Sequence, residues 1–178
     1  AIDPRRTSTV AHASTWWIPC RPGTDAALML ATLHVLLDEG LIDRASVDAR
    51  AMGFERLARY VLGEDGGEAR APAWAEAICG VPAAEIRRFA RAYAGARPAM
   101  LIPGFSIQRV FAGEESYRLT VALQLATRNF GVRGGSTGSM NNCLPTPRVG
   151  TMDALVPPGQ PSVPVLQWPD AILRGRSG

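Results

Sequence analysis

Trp16-Trp17-Ile18-Pro19-Cys20, then Arg21-Pro22-Gly23-Thr24-Asp25, then Ala26-Ala27-Leu28-Met29-Leu30-Ala31-Thr32-Leu33-His34-Val35-Leu36-Leu37 run on without a break, and the fold turns on how they are read. The first block has the aromatic and β-branched content of a short strand, with Pro19 confining it to an edge or a sheet end. The second is a turn. Thr24 is placed to cap the helix that follows, and Asp25 complements the positive end of its dipole. The third block predicts that helix, closed by Asp38-Glu39-Gly40 with Gly40 supplying the left-handed position past the last turn. Apolar on nearly every face, it belongs deep inside the protein.

Working outward, Ala1-Ile2 before Asp3-Pro4 reads as the last two residues of a strand entering a turn. The strand's beginning is missing, so the chain is expected to be an internal piece of something longer. Downstream, glycine and proline punctuate three shorter helices: Phe54 to Leu62 stopping at Gly63, one opened by Pro72 and ended by Gly80, and Ala83 to Ala94 after Pro82, ended by Gly95. In the last of these Ile86, Phe89, Ala90 and Tyr93 share one face and Arg87, Arg88 and Arg91 point outward, as a core stripe and a solvated face would. Pro98-Ala99-Met100-Leu101-Ile102 is short and wholly apolar, the pattern of a buried parallel strand. A loop, Gly104 to Arg109, and a long helix, Glu114 to Asn129, follow it. Strand, helix, strand, helix predicts an α/β fold, a Rossmann-like doubly wound and mostly parallel sheet with flanking helices. It would occupy residues 1–142. Residues 143–178, proline-rich from Pro145 to Pro169, predict an extended segment and a short helix.

The 178 residues carry 47% hydrophobic and 20% charged residues and a net charge of +3, the profile of one globular domain rather than a disordered tail or a collagen. All 19 basic residues are Arg, scattered among acids; no arginine-rich arm, zinc-finger spacing or aromatic stacking motif points to a nucleic acid. The apolar run Ala26 to Leu33 is far short of the roughly 20 residues of a membrane span, and no signal peptide is legible at the start. Cys20, Cys79 and Cys143 match no metal spacing and read as buried small hydrophobes. His12 and His34 are isolated, so no Ser/His/Asp or Cys/His nucleophile can be assembled.

Three turns lie at the carboxyl ends of the predicted strands: Ile2-Asp3-Pro4-Arg5, Arg21 to Asp25, and Gly104 to Arg109. In a doubly wound fold they would converge on one crevice. A carboxylate such as Asp3 suits ribose hydroxyls, and Asp25 can accept the paired N1–H and N2–H donors of guanine. Gly23 removes the side chain that would keep a base from the backbone, and Arg109 can fork onto a phosphate or pyrophosphate. Singly, each has a plain structural role: a turn former, a helix start, a surface cation. The run Gly131 to Gly138 does not match Gly-x-Gly-x-x-Gly opening a helix, which counts against an ordinary NAD domain.

Asp3-Pro4-Arg5-Arg6-Thr7, the run Trp17 to Leu28, Trp74-Ala75-Glu76 through Ile78-Cys79-Gly80-Val81-Pro82, and Gly104-Phe105-Ser106-Ile107-Gln108-Arg109 together closely resemble the molybdopterin oxidoreductases of the dimethyl sulfoxide reductase family. The resemblance runs from Ala1 to about Gly138, and Gln167 to Ile172 is similar to that family's linker toward its later part. The subgroup it resembles is the membrane-anchored, iron-sulfur dimethyl sulfoxide reductase catalytic subunits. The resemblance implies molybdenum held by two molybdopterin guanine dinucleotides. Ile2, Asp3, Gly23, Thr24 and Asp25 would lie at the guanosine end, and Phe105, Ser106 and Arg109 on the pterin and pyrophosphate side. Many relatives place Trp-Gly or Trp-Ser where this chain has Phe105-Ser106, so an indole N–H is absent there. The family's metal-binding Ser, Cys or selenocysteine and its cysteine cluster are also absent from these residues. An iron-sulfur cluster is therefore expected only elsewhere in a parent chain, and this piece is not expected to be active alone.

The implied reaction is oxygen-atom transfer from dimethyl sulfoxide or a similar S- or N-oxide. The implied partners are the rest of the catalytic subunit and iron-sulfur and membrane-anchor subunits, in a periplasmic or membrane-associated setting in a bacterium. By itself the piece is expected to self-associate through uncovered faces. A formate or nitrate oxidoreductase of the same family, or a non-catalytic Rossmann-like nucleotide-binding module, are the other readings.

Overall fold

A computed structural model describes residues 1–136, 163 and 167–175. The chain divides into two units, Ala1–Leu144 and Pro145–Gly178, and each is taken by itself. The first unit is helical: α1 (Ser8–Ala13), α2 (Asp25–Asp38), α3 (Arg44–Arg50), α4 (Phe54–Leu62), α5 (Pro72–Cys79), α6 (Ala83–Gly95), a 3-10 turn over Phe105–Gln108, and α7 (Gly113–Ala126). In the second unit the described helix is α8 (Trp168–Arg174). No helix among the described residues is long and apolar enough to cross a membrane. Gly138, Cys143 and nearly all of the proline-rich stretch lie outside the described residues.

Among the described residues α2 is the hub, packing against α4, α5, α6 and α7. Its apolar composition explains this, because two of its faces are buried in different clusters. Leu30, Leu33, Val35 and Leu36 join Val47 of α3, Phe54 and Val61 of α4, Tyr93 of α6 and Leu119 and Leu123 of α7. Ala27, Leu28 and Ala31 meet Ile18, Cys20, Ala75 and Cys79 of α5, Val81 and Ile86. Small residues on the second face let α5 and the Ile18 segment approach closely. The one hydroxyl in the middle, Thr32, is fully buried and donates back to Leu28 O at 2.8 Å, which satisfies it without a partner from outside the helix. Gly40 sits in the left-handed region at φ 65°, and Gly40 N and Leu41 N donate to Leu37 O and Leu36 O, the paired bonds of a Schellman ending. Gly63 and Gly80 end α4 and α5 in the same conformation.

The expected α/β sheet is corrected by this structure: among the described residues there is no sheet, only the isolated parallel bridges Ile2–Ile18 and Phe130–Ser136. The bridge at Ile18 rests on Asp3 N to Ile18 O and Ile18 N to Ala1 O. Beyond it Pro19 has no donor, and Arg21 N turns to Cys79 O at the end of α5. The segment 98–102 forms no ladder. Ala99 N donates to the side chain of Asn129, and Leu101 O accepts from the side chain of Gln124, so side chains of α7 and its carboxyl end take groups that a neighbouring strand would take. Ala99 and Leu101 pack on the core while Met100 and Ile102 stay exposed at 54% and 59%. Short apolar runs report burial; pairing needs a second edge about 4.8 Å away.

Two further departures are local. Thr24 stands at the cap position of α2, but its side chain makes no cap bond and donates instead to Arg21 O. The short helices α1 and α3 have no counterpart in the sequence expectations, although Thr7 and Asp43 cap them through side-chain oxygens, a signal that was there to read.

Because Leu33 is fully buried at the centre of the helix cluster, Leu33→Ala is expected to cost about 2–5 kcal/mol in a urea titration. Met52→Ala, at a fully exposed side chain, is expected to leave the midpoint where it is.

Candidate functional site

The amino end of α2, the Ile2 segment and the 3-10 turn meet at a cleft of about 100 Å³. Its floor is core: Leu28, Met29 and Thr32 of α2, Phe89 and Tyr93 of α6, Thr120 and Leu123 of α7. Its mouth is formed by Ile2, Asp25, the run Leu101 to Gly104, and Ile107. The turns singled out in the sequence therefore do reach one place, without a sheet to carry them. Ile2, Leu101 and Ile102 line the opening together, and the backbone bridge of Ile2 goes to Ile18.

Of the eight residues expected at a site, Ile2 and Asp25 line the cleft itself. Gly23 lies beside it at φ 76°, where a built methyl group would come no closer than 3.9 Å to Val110 Cγ1, so the left-handed backbone rather than crowding calls for glycine. Asp3 is close in sequence to the mouth, but its carboxylate is engaged locally: Oδ1 accepts Arg5 N at 2.8 Å, the turn expected of it, while its carbonyl accepts Trp17 Nε1 at 2.8 Å. Thr24 spends its hydroxyl on Arg21 O at 2.7 Å and touches Cys20 Sγ at 3.5 Å. Phe105 and Ser106 are exposed on the 3-10 turn. Arg109 closes that turn through its backbone N to Ser106 O, and its exposed guanidinium has no hydrogen bond or ion pair with another described residue. Asp3, Gly23, Thr24, Phe105, Ser106 and Arg109 flank the cleft without lining it.

Asp25 is the electrostatic centre of the arrangement. Burial pushes its carboxyl above the ordinary carboxylate range, and only the bond with its own backbone N–H works the other way. A half-buried carboxylate without a side-chain partner offers two acceptor oxygens at an apolar opening, and a ligand presenting two adjacent N–H donors would satisfy both. On the cleft floor burial raises the Tyr93 phenol, with the side chains of Thr127 and Asn129 working the other way. Cys20 is pushed up to about 11, first by burial, so it stays a thiol, and burial lowers His34. No group of three or more His, Cys, Asp or Glu among the described residues is placed to hold a metal ion.

Gly134 and Gly135, after α7, serve the chain itself. A Cβ at Gly134 would strike Pro98 at 2.7 Å, and one at Gly135 would meet Asn129 O at 2.2 Å. Asn129 is fully buried and ties this loop to the 98–102 segment. Sequence reasoning missed Tyr93 as a floor residue because it took the Ile86–Tyr93 face as core only. A tyrosine in such a stripe carries a hydroxyl that must be placed, which was the available signal.

Comparison with known proteins agrees with the motifs. The sequence profile described as molybdopterin oxidoreductase matches residues 1–171. Dimethyl sulfoxide reductase DmsA of Escherichia coli is 37% identical over 98% of this chain and 23% of its own length. The dimethyl sulfoxide/trimethylamine N-oxide reductase of Cereibacter sphaeroides is 38% identical over 77% of this chain and 16% of its own. Among solved structures, acetylene hydratase from Pelobacter acetylenicus superposes with a TM-score of 0.65 at 32% identity, covering 73% of this chain and 17% of that one. The chain thus spans about a quarter or less of the length of these relatives.

The raised carboxyl of Asp25 sets a pH dependence. In the folded chain it keeps its proton to higher pH than in the unfolded chain, so the folded state binds more protons above the ordinary carboxylate range and stability falls as pH rises through that window. Asp25→Asn is expected to raise the thermal midpoint near neutral pH and to flatten its decline with pH, as followed by circular dichroism. Below about pH 4 the two proteins are expected to melt alike.

Proposed function

This chain belongs to the molybdopterin oxidoreductase family, and from that premise we propose that it forms one wall of the cofactor cradle in a molybdenum-dependent oxidoreductase, with Asp25 recognising the guanine of a molybdopterin guanine dinucleotide. The observation that carries this reading is the desolvated, side-chain-unpartnered carboxylate of Asp25 at the mouth of the cleft. Its needs match what guanine offers, two parallel N–H donors.

The other residues fit the same ligand. Ile2 gives an apolar edge for a base, and Gly23 holds a backbone conformation open to close approach, with no Cβ in the way. Asp3 keeps Oδ2 available for a ribose hydroxyl, and Thr24 holds the turn by its bond to Arg21 O. On the far side Phe105 and Ser106 present a ring and a hydroxyl to the pterin, and Arg109 brings a guanidinium without an internal partner to the pyrophosphate. When bound, the molybdenum group would supply two-electron oxygen-atom transfer; this chain's share is binding, orientation and electrostatics.

The substrate in this reading is dimethyl sulfoxide or a similar S- or N-oxide, supported by the names of the reductases that align with nearly the whole chain. A second reading, another molybdopterin enzyme of different chemistry, is favoured by the similar structure named as a hydratase. The proposal extends to the setting: the rest of a catalytic subunit closing the cradle, iron-sulfur and membrane-anchor subunits delivering electrons, at the periplasmic side of a bacterial membrane.

The intact gene product is expected to carry molybdenum and to release GMP on acid hydrolysis, both measurable on the purified protein. Asp25→Ala is expected to lower the retained guanine nucleotide about tenfold or more, the cost of hydrogen bonds to a charged group. Nucleotide without molybdenum would favour a non-catalytic binding module, and a protein with neither would overturn the proposal.

A further inference from the structure

Arg21 stands at the start of the site turn, and nothing about its residue type marks it for a role. In the structure its Nη1 donates to Ala77 O at 3.1 Å and to Ile78 O at 3.2 Å, and its backbone N donates to Cys79 O at 3.0 Å. Three successive carbonyls at the end of α5, which have no N–H donor within their own helix, are thus all taken by one residue. The guanidinium also lies at the negative end of that helix, where a cation is favoured.

Gly80 makes room for it. At φ 74° Gly80 ends α5, and a Cβ there would come 3.1 Å from Arg21 Nε and 3.5 Å from Arg21 Cζ. On its other side Arg21 holds the turn shut, because its carbonyl accepts both Thr24 N at 3.3 Å and Thr24 Oγ1 at 2.7 Å. Pro22, between them, has no donor with which to anchor the turn independently. Arg21 is therefore the residue that fastens the Gly23–Asp25 turn to α5, and α5 in turn packs on α2 and α6.

We propose that Arg21 is a positioning residue for the site: its clamp on the carboxyl end of α5 sets where the Gly23–Asp25 turn presents the Asp25 carboxylate. This rests on the reading of Asp25 as the guanine-recognising group. The side chain of Arg21 is exposed, so its loss leaves no cavity in the core, and its effect should be confined to the turn. Gly80 belongs to the same device, since a side chain at that position would be strained at φ 74° and would crowd Arg21 Nε at 3.1 Å.

The test uses Arg21→Ala, Arg21→Lys and Gly80→Ala in the intact gene product, with Asp25→Ala as reference. The readouts are GMP released per protein, the thermal midpoint, and amide hydrogen exchange at Thr24 and Ala27, whose N–H groups bond to Arg21 O and Thr24 O. Arg21→Ala is expected to speed exchange at these two amides and to lower retained GMP about tenfold, a geometric effect of the size that small misplacements produce. Exchange in the middle of α2 should be unchanged. Arg21→Lys, which keeps a charged donor, is expected to recover part of the retention, and Gly80→Ala to reproduce the exchange pattern of Arg21→Ala. Exchange that rises evenly through α2 and α5, with retention falling only as the midpoint falls, would overturn the inference and leave Arg21 a general structural contact. If Asp25→Ala loses nucleotide and Arg21→Ala does not, the clamp fails and the site reading stands. If the protein holds no nucleotide at all, the site reading fails, and with it the role assigned to Arg21.

Discussion

The burial of α2 on two faces is the constraint from which the rest of the first unit follows. A helix whose middle residues, Ala31, Thr32, Leu33 and Leu36, are wholly removed from water cannot lie on a surface, so other helices must enclose it. Its amino end is then fixed as the place where the enclosure opens. There Asp25 leaves the core, the Ile2 segment crosses, and the 3-10 turn closes the far side. Stability and site placement are two consequences of one packing arrangement.

Much of the helical frame was legible because its signals are local. Pro72, Gly63 and Gly80 act within one or two residues, and the helices bounded by them match the expected limits closely. The sheet was not legible because strand pairing depends on what lies alongside, which no window of sequence contains. Pro98 to Ile102 looks like a buried strand by composition, yet Asn129 and Gln124, far away in sequence, take the backbone groups that a neighbouring strand would occupy. The convergence of the three turns was expected for a reason the structure does not support. It arises from helices packed around α2. Arg21 was invisible for a related reason, since its partners are carbonyls of α5 rather than residues of any particular type.

The site also shows where local rules conflict. A helix start favours an aspartate, but the apolar surroundings of Asp25 disfavour its charge, and no side chain from the core relieves it. A desolvated carboxyl at this position opposes folding where it is ionised, the kind of perturbation that clusters at functional sites. Arg109, which follows the 3-10 turn, is exposed, and its guanidinium makes no hydrogen bond or ion pair with another described residue. Among the described residues no group of three or more His, Cys, Asp or Glu is placed to hold a metal ion.

The central claim, that separate turns are gathered at the amino end of α2 by helix packing, is tested most directly by nuclear Overhauser contacts across the opening. The account expects cross-peaks between the Gly23 α-protons and the Val110 methyls, and between Ile2 and Leu101 side chains. Val110 and Leu101 methyls that show contacts only to their own neighbours in sequence would contradict it.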